Sequence, residues 1–427
     1  MPLLPPLFFP LDEELGLLPG ALTPSVVENL VRLGTWLPFA PAAGMLAHFT
    51  RVRVGASTAR RLTEQAGAAY EAVQTAAVAR LEREVPPAPQ GPAVQLLSAD
   101  GAMVPLVGGE WAEVKTLALG DVQKPRVNRR GEQQIHTTNL SYFSRLADHE
   151  TFGRLATVET HRRGTETAGV VCAVVDGAEW EQGFIALHRP DAVRILDWAH
   201  AVEYLDAAAQ AAYGTGTVRA QTWLAQQRHA LTHGDPQRVL AALRALGEEV
   251  GGLVVADGSD ATGPGAVITR SLEYLEKRQA QLQYAAFAAA GYPRGSGSVE
   301  SANKLVVEAR LKGAGMRWAR AHVNPVVALR TVACSDRWAE AWPQITAQWR
   351  AHVWRRRQDR ATARRQGQAA TADTAAAPPA EPVPAPPPAP SRSAPAPVAP
   401  PTGRRGPRRP AADHPWRHSP IGRARCA

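Results

Sequence analysis

The stretch 294–318, RGSGSVESANKLVVEARLKGAGMRW, constrains the fold most, because it predicts a turn followed by an amphipathic helix. Alternating glycine and serine at its start is typical of turns and helix N-caps. Apolar residues then recur at helical spacing, and Gly313 ends the run. Glu300 lies in the first turn, and cationic residues follow it. Such a helix can pack on a core while presenting one carboxylate beside positive charge, which suits a metal ion next to a polyanion.

An isolated glutamate at a helix N-terminus is explained by the helix dipole alone, so acids elsewhere in the chain decide the matter. Three apolar segments upstream each end on an aspartate: AVQLLSAD on Asp100, GVVCAVVD on Asp176 and AVRILD on Asp197. Such runs predict buried strands, although Asp-Gly after a strand is often only a turn. Because functional groups gather at the carboxyl ends of strands in open α/β sheets, we expect Asp100, Asp176 and Glu300 to converge.

Clustered carboxylates predict a divalent metal site. Three of them cannot all ionise at low cost without a counter-charge, and oxygen ligands favour Mg²⁺, or Mn²⁺, over zinc. Two such ions can activate a water or a 3′-hydroxyl and stabilise the leaving oxygen in phosphoryl transfer. We therefore predict that Asp100, Asp176 and Glu300 bind two ions, with Asp197 as the alternative second acid.

The positive charge of the chain is concentrated at its C-terminal end. The 427 residues carry a net charge of +9, but segment 361–427 alone holds ten arginines and three acidic residues. The overall charge therefore does not by itself indicate nucleic-acid binding. Local cations are better candidates for contacting DNA phosphates, and we predict this role for Arg60, Arg61, Lys304, Arg310, Lys312 and Arg317.

Other features of the sequence exclude several classes of protein. The sequence contains no run of 18 apolar residues, so we expect no membrane span. The N-terminus has no cationic region of the kind typical of a signal peptide. The three cysteines are widely spaced, which favours the reducing cytoplasm and offers no zinc site. No Walker-type glycine loop is present, so we expect no nucleotide cofactor.

The chain divides by composition into five regions. We expect an N-terminal helical DNA-binding region over 1–85, with a helix-turn-helix-like break near Thr50–Gly55. Within the catalytic core we expect a loop over 121–139 and a helix over 141–162. The catalytic core is expected in two parts, 93–213 and 293–358, and the second part carries the Glu300 helix. A helical insertion over 214–292 separates them, and a disordered Pro/Arg-rich tail follows over 359–427.

Four motifs, in this order, resemble the DDE transposases of bacterial insertion sequences, and the Kra-type group (ISKra family) most closely. They are LLSADGAMVPLVGGEWAEVKTLALGDV, VVDGAEWEQGF, RILDWAH and GSGSVESANKLVVEARLKGAGMRW. The resemblance extends from about Phe8 to about Trp349. It implies an α/β fold whose RNase H-like mixed sheet is interrupted by a helical insertion, preceded by a small all-α domain and followed by the tail.

The resemblance also implies roles for individual residues. Asp100, Asp176 and Glu300 match the first, second and third catalytic acids. Asp197 and His200 match an element, C/D-x-x-H, that supports the site or contacts DNA. Arg310, Lys312 and Trp318 match the basic stretch that follows the glutamate in the family. For Trp318, packing in the core and stacking on a DNA base both remain open.

The implied activity is metal-dependent DNA cleavage and strand transfer. The expected partners are double-stranded terminal inverted repeats, target DNA and further copies of the chain, in the cytoplasm on the nucleoid. Two alternatives remain: a defective copy that only binds DNA, and an RNase H-like nuclease without strand transfer. Only seven residues precede Phe8, fewer than is usual in the family, and a truncated or frame-shifted copy is one interpretation of this departure.

Overall fold

A mixed β-sheet organises the protein. The computed structural model describes residues 17–375, apart from 19, 128, 130–132 and 252–262. The residues up to Arg364 form one compact unit, and a second unit begins at Arg365. Among the described helices, none is both long and apolar enough to cross a membrane.

The sheet has five strands in the order β5-β2-β1-β6-β7. The pairs β5/β2 and β2/β1 are antiparallel, whereas β1/β6 and β6/β7 are parallel. Two further short strands, β3 and β4, form a separate ribbon. In chain order the strands are β1 (Val94–Pro105), β2 (Trp111–Val122), β3 (Arg126–Val127), β4 (Gln133–Gln134), β5 (Thr137–Arg145), β6 (Val170–Val175) and β7 (Val193–Leu196).

Helices precede the sheet, cover it and follow it. Those before and between the strands are α1 (Pro24–Trp36), α2 (Phe39–Thr50), α3 (Ala56–Glu84), α4 (His149–Arg162) and α5 (Glu179–His188). After the last strand come α6 (Trp198–Tyr213), α7 (Val218–His233), α8 (Pro236–Glu249), α9 (Pro264–Lys277), a 3₁₀ turn (Gln279–Gln281) and α10 (Tyr284–Ala289). The final elements are α11 (Gly297–Ala302), a π-helical stretch (Asn303–Glu308), α12 (Ala309–Leu311), α13 (Arg320–Cys334) and α14 (Trp338–Ala375).

Helices cover both faces of the parallel half of the sheet. Side chains alternate between the faces along a strand, so Cys172 and Val174 of β6 pack against α6 to α10. Val171 and Ala173 pack on the opposite side, against α4 and α5. Within 214–292, where a helical insertion is expected, the described residues form α7 to α10, and these helices pack on one face of the sheet.

The N-terminal helices do not form a core of their own. Leu30 of α1, Leu46 of α2 and Leu62 of α3 pack in one cluster with Leu329 of α13 and Ile345 of α14. The expected break between α2 and α3 is present over residues 51–55. The described residues of this region form three helices, and these helices are packed on the C-terminal helices rather than set apart as a small domain.

Three sequence-based expectations are wrong in detail. Asp100 is not at a strand end, because β1 continues through it to Pro105 and pairs with β2 along its length. Residues 141–145 belong to strand β5, where Tyr142 and Phe143 favour β structure. Helix α14 extends into the expected tail as far as Ala375, since arginine, alanine and glutamine favour helix. The rest of the tail lies outside the described residues.

Candidate active site

Three aspartates lie in or directly after three neighbouring strands: Asp100 within β1, Asp176 after β6 and Asp197 after β7. In the β1/β6 register, the last paired residues are Leu97 and Ala173. Asp100 and Asp176 each lie three residues further along, so the same register places them next to each other. In the β6/β7 register, Val175 is opposite Leu196, which places Asp197 next in the row. Because neighbours in register project to the same side of a sheet, the sheet brings these acids together on the face covered by the helical insertion.

Glu300 approaches the same face from its helix. Val299 and Ala302, on either side of Glu300, are buried in a cluster with Ala102 and Val104 of β1. These two strand residues share a face with Asp100, because all three have even numbers on one strand. The Glu300 helix therefore packs directly beyond Asp100 along the central strand.

Two hydrogen bonds hold the Asp100 side chain. The backbone N–H of Gly101 donates to its Oδ1 at 2.6 Å, and the Nδ2 of Asn303 donates to its Oδ2 at 2.7 Å. Burial raises the pKa of Asp100 above its ordinary value, and these hydrogen bonds oppose the shift. The carboxylates of Glu113 and Glu300 raise the pKa further, so Glu300 and Asp100 share one electrostatic environment.

Asp176 has the most perturbed carboxyl group of the predicted triad. Burial raises its pKa to about 6, and the carboxylate of Asp100 adds to the shift. Asp197 and Glu300 act in the same direction, whereas His200 lowers the pKa. A carboxylate that is destabilised by burial and by like charges gains most from a nearby cation.

Asp197 has a structural role in this arrangement. Its side chain is buried; Oδ1 accepts a hydrogen bond from the backbone N–H of His200 at 2.9 Å, and Oδ2 accepts one from the N–H of Ser296. The first bond caps helix α6, and the second holds the turn that leads into the Glu300 helix. Through both oxygens Asp197 therefore stabilises the two turns that border the site, and it stays the alternative second acid.

His200 borders the acids and contacts residues of its own helix and of α9. Its Nδ1 lies 3.2 Å from the Oε2 of Glu203. Its ring meets the rings of Tyr204 and Tyr274 edge-on, at 5.3 Å and 5.9 Å between centroids. The histidine therefore contacts one aromatic ring of its own helix and one of α9, and it acts electrostatically on Asp176.

The three predicted acids are close enough to interact electrostatically, but their carboxylates do not form a complete set of metal ligands in the described part of the chain. Within the parts of the chain that the structure describes, no three acidic, histidine or cysteine side chains are placed to hold one metal ion. The Glu300 side chain is 54% exposed, and its Oε2 lies 3.8 Å from the Nζ of Lys304. The donor chemistry still fits a hard cation: Asp100, Asp176 and Glu300 offer carboxylate oxygens only, and each acid interacts electrostatically with the others.

Sequence reasoning missed a buried carboxyl group beside the triad, that of Glu181. One of its oxygens accepts hydrogen bonds from the backbone N–H groups of Gly177 and Ala178, at 2.8 Å and 2.9 Å. Burial raises its pKa to about 8, and the nearby Asp176 carboxylate adds to the shift. Glu181 therefore fixes the turn after Asp176. Its position within the VVDGAEWEQGF motif was the signal that could have identified it.

The predicted phosphate-contacting cations differ widely in exposure. Arg60, Arg61, Lys304, Lys312 and Arg317 are exposed, and Lys312 is paired with Glu308 at 2.6 Å.

The prediction for Arg310 is wrong, because this residue is only 1% exposed. Its guanidinium donates to the carbonyl of Gly34 and lies over the rings of Phe39 and Trp318. Trp318 is also buried, and its indole N–H donates to the carbonyl of Leu311 at 3.1 Å. Arg310 and Trp318 therefore join the N-terminal helices to the Glu300 helix, and the core role of Trp318 is favoured over base stacking.

Comparisons with known proteins add no assignment to this geometry. No protein-family model matches the chain, and no curated protein matches it.

Proposed function

We propose that the protein is a DDE-type transposase that cleaves the ends of an insertion sequence and transfers them to target DNA. The observation that carries the proposal is the grouping of three acids: Asp176, directly after β6, interacts electrostatically with Asp100 of the neighbouring strand β1, and Glu300 acts on both. The mixed sheet, followed by a helical insertion and a helix bearing the third acid, supports the RNase H-like fold that the motifs imply.

The three acids would hold two Mg²⁺ ions, or Mn²⁺ ions. When bound, these ions would supply activation of a water or 3′-hydroxyl nucleophile and stabilisation of the leaving oxygen. The residues of the chain prepare the site for this chemistry. Burial and mutual repulsion leave the carboxylates of Asp100 and Asp176 in need of a counter-charge, and Gly101 and Asn303 fix the direction of the Asp100 carboxylate.

Double-stranded DNA is the proposed partner, as terminal inverted repeats and as target, with several copies of the chain acting together. Exposed cations would neutralise phosphates: Lys304, whose Nζ lies 3.8 Å from the Oε2 of Glu300, and Arg317, which follows the Glu300 helix in the chain. Arg60 and Arg61 present a second pair at the start of α3. Contacts of this kind position the DNA without reading its sequence.

The proposal is tested by Asp176→Asn in an assay of end cleavage in Mg²⁺. The substitution keeps the size of the side chain and removes its charge, so cleavage should disappear while binding to the ends persists. Glu276→Gln is the matched control, because it removes a carboxylate from the exposed side of α9. Unchanged cleavage by Asp176→Asn would refute the proposal.

Two outcomes of the same assay would identify the alternatives. Cleaved ends without any joined product would indicate a nuclease that lacks strand transfer. Retained binding with no metal-dependent cleavage by the wild-type protein would indicate a defective copy that acts only as a DNA-binding protein.

A further inference from the structure

Asn303 connects the Glu300 helix to the central strand. It lies one helical turn after Glu300, and its Nδ2 donates to the Oδ2 of Asp100 at 2.7 Å. Only 6% of the residue is exposed. The amide group is therefore enclosed between β1 and the helix, on the face of the sheet where the acids project.

The other end of this amide has no partner. The Oδ1 of Asn303 is buried and accepts no hydrogen bond from any described residue. Nearly all buried acceptors in folded proteins are paired, because an unpaired one is costly. Exchanging the two ends of the amide does not help, since the oxygen would then face the Asp100 carboxylate. The site therefore lacks an electropositive group next to Oδ1.

The backbone around Asn303 is held in an unusual form that fixes this arrangement. A π-helical stretch, Asn303–Glu308, begins at this residue, and such stretches occur frequently at functional sites. Arg330 of α13, itself 1% exposed, donates to the carbonyls of Leu305 and Val306 within the stretch. A buried arginine thus supplies donors to π-helical carbonyls two and three residues after Asn303, and the Asn303 side chain is held by Asp100 of β1.

We propose that Asn303 is a fourth ligand-bearing residue of the site and that its Oδ1 binds a divalent cation together with Asp100. This inference rests on the proposed function, since it concerns the same cation. Amide oxygens are ordinary ligands of hard divalent cations. The Nδ2 of the same side chain meanwhile orients the Asp100 carboxylate, as hydrogen bonds to metal-binding carboxylates commonly do. One side chain therefore both supplies an oxygen and positions another ligand.

The test is Mn²⁺ binding by the full-length protein without DNA, measured by isothermal titration calorimetry and by the electron paramagnetic resonance signal of free Mn²⁺. Asn303→Leu keeps a similar volume and removes both polar atoms, so the affinity should fall by about tenfold or more. Asn303→Asp retains an oxygen but loses the donor to Asp100. If Oδ1 is a ligand, this variant should keep the wild-type affinity or exceed it.

Asn324→Leu is the matched control. The amide of Asn324 is satisfied at both ends by the backbone of Leu146, at 2.7 Å and 3.2 Å. This substitution should lower the unfolding temperature and leave the Mn²⁺ affinity of the folded protein unchanged. Circular dichroism establishes which variants are folded before titration.

The outcomes separate this inference from the proposed function. Equal affinities of Asn303→Leu and the wild type would overturn the inference alone, provided that Asp176→Asn weakens binding. Weak binding by both Asn303→Leu and Asn303→Asp would show that Asn303 only orients Asp100, and would overturn the ligand role. No Mn²⁺ binding by the wild type would overturn the metal site and the inference together.

Discussion

The hydroxyl group of Tyr274 donates a hydrogen bond to the backbone carbonyl of Asp176, so the helical insertion is attached directly to the strand end that carries a proposed catalytic acid. Arg278, one turn later, donates to the carbonyl of Gly177, and its guanidinium lies 3.8 Å from the centre of the Tyr274 ring. Gly177 has a φ of +86°, and a Cβ there would collide with Arg278. The insertion thus fixes the turn that follows Asp176.

Replacing Arg278 should destabilise the protein more than replacing an exposed arginine of the insertion. Arg278→Met removes the donors to the buried carbonyl of Gly177, which should lower the free energy of unfolding by about 2 kcal/mol. Arg244→Met is the control, because Arg244 forms an exposed ion pair with Glu276 and should change stability by less than about 1 kcal/mol. Urea denaturation measures both; equal, small losses would contradict the role assigned to Arg278.

The buried carboxyl group of Glu181 should make stability depend on pH. Its pKa is about 8 in the folded protein, against an ordinary value of 4.5, so the folded state retains a proton that the unfolded state has lost between these values. Stability should therefore fall as the pH rises from about 4.5 to 8, by up to about 1.4 kcal/mol per pH unit.

Glu181→Gln isolates this contribution. The amide can still accept from the N–H groups of Gly177 and Ala178, but it cannot ionise. In a chelating buffer, the variant should gain stability over the wild type as the pH rises through the window, and the difference should be constant below pH 4. Asp176, whose pKa is raised in the same direction to about 6, remains in both proteins, and its charge contributes to the Glu181 shift, so the difference includes the interaction of these two carboxyl groups. A difference that does not change between pH 5 and 8 would contradict the raised pKa.

The local sequence was sufficient to predict much of the parallel part of the sheet. The apolar runs before Asp176 and Asp197 form strands β6 and β7 as expected, because a strand buried on both faces needs continuous apolar residues. Asp176 and Asp197 directly follow these strands, so they lie side by side as soon as the two consecutive parallel strands are neighbours in the sheet. The same reasoning could not show that β1 continues past Asp100, since that extension depends on pairing with β2.

Long-range contacts explain what the sequence could not predict. Arg310 has the local appearance of a surface cation, yet its partner Gly34 lies 276 positions away. Tyr274 and Asp176 are 98 positions apart, and no local pattern marks either side of that hydrogen bond. Residues 141–145 appeared helical within a polar region, whereas pairing with β2 determines that they form a strand.

Arg330 should stabilise the π-helical stretch locally as well as the whole fold. Arg330→Met removes the guanidinium donors to the carbonyls of Leu305 and Val306 and leaves a buried site without its polar group, which should lower the free energy of unfolding by roughly 2–3 kcal/mol. Amide hydrogen exchange should accelerate over residues 297–311 before it does so in α8. Arg320→Met, at the exposed start of the same helix α13, should change neither quantity appreciably. Uniform acceleration across the protein would argue against a local role.

The start of α3 should contact DNA, and the salt dependence of binding can show this. Arg60 and Arg61 are exposed at that end of the helix, whereas Arg80 and Arg83 are exposed near its other end. Each phosphate contact contributes about 0.9 to the slope of log affinity against log salt concentration, so the double variant Arg60→Gln/Arg61→Gln should reduce the slope by about 2. Arg80→Gln/Arg83→Gln removes the same charge from the same helix and should leave the slope nearly unchanged. Equal reductions in the two variants would indicate only general attraction to a positive surface, and no reduction in the first would exclude this end of α3 from the DNA interface.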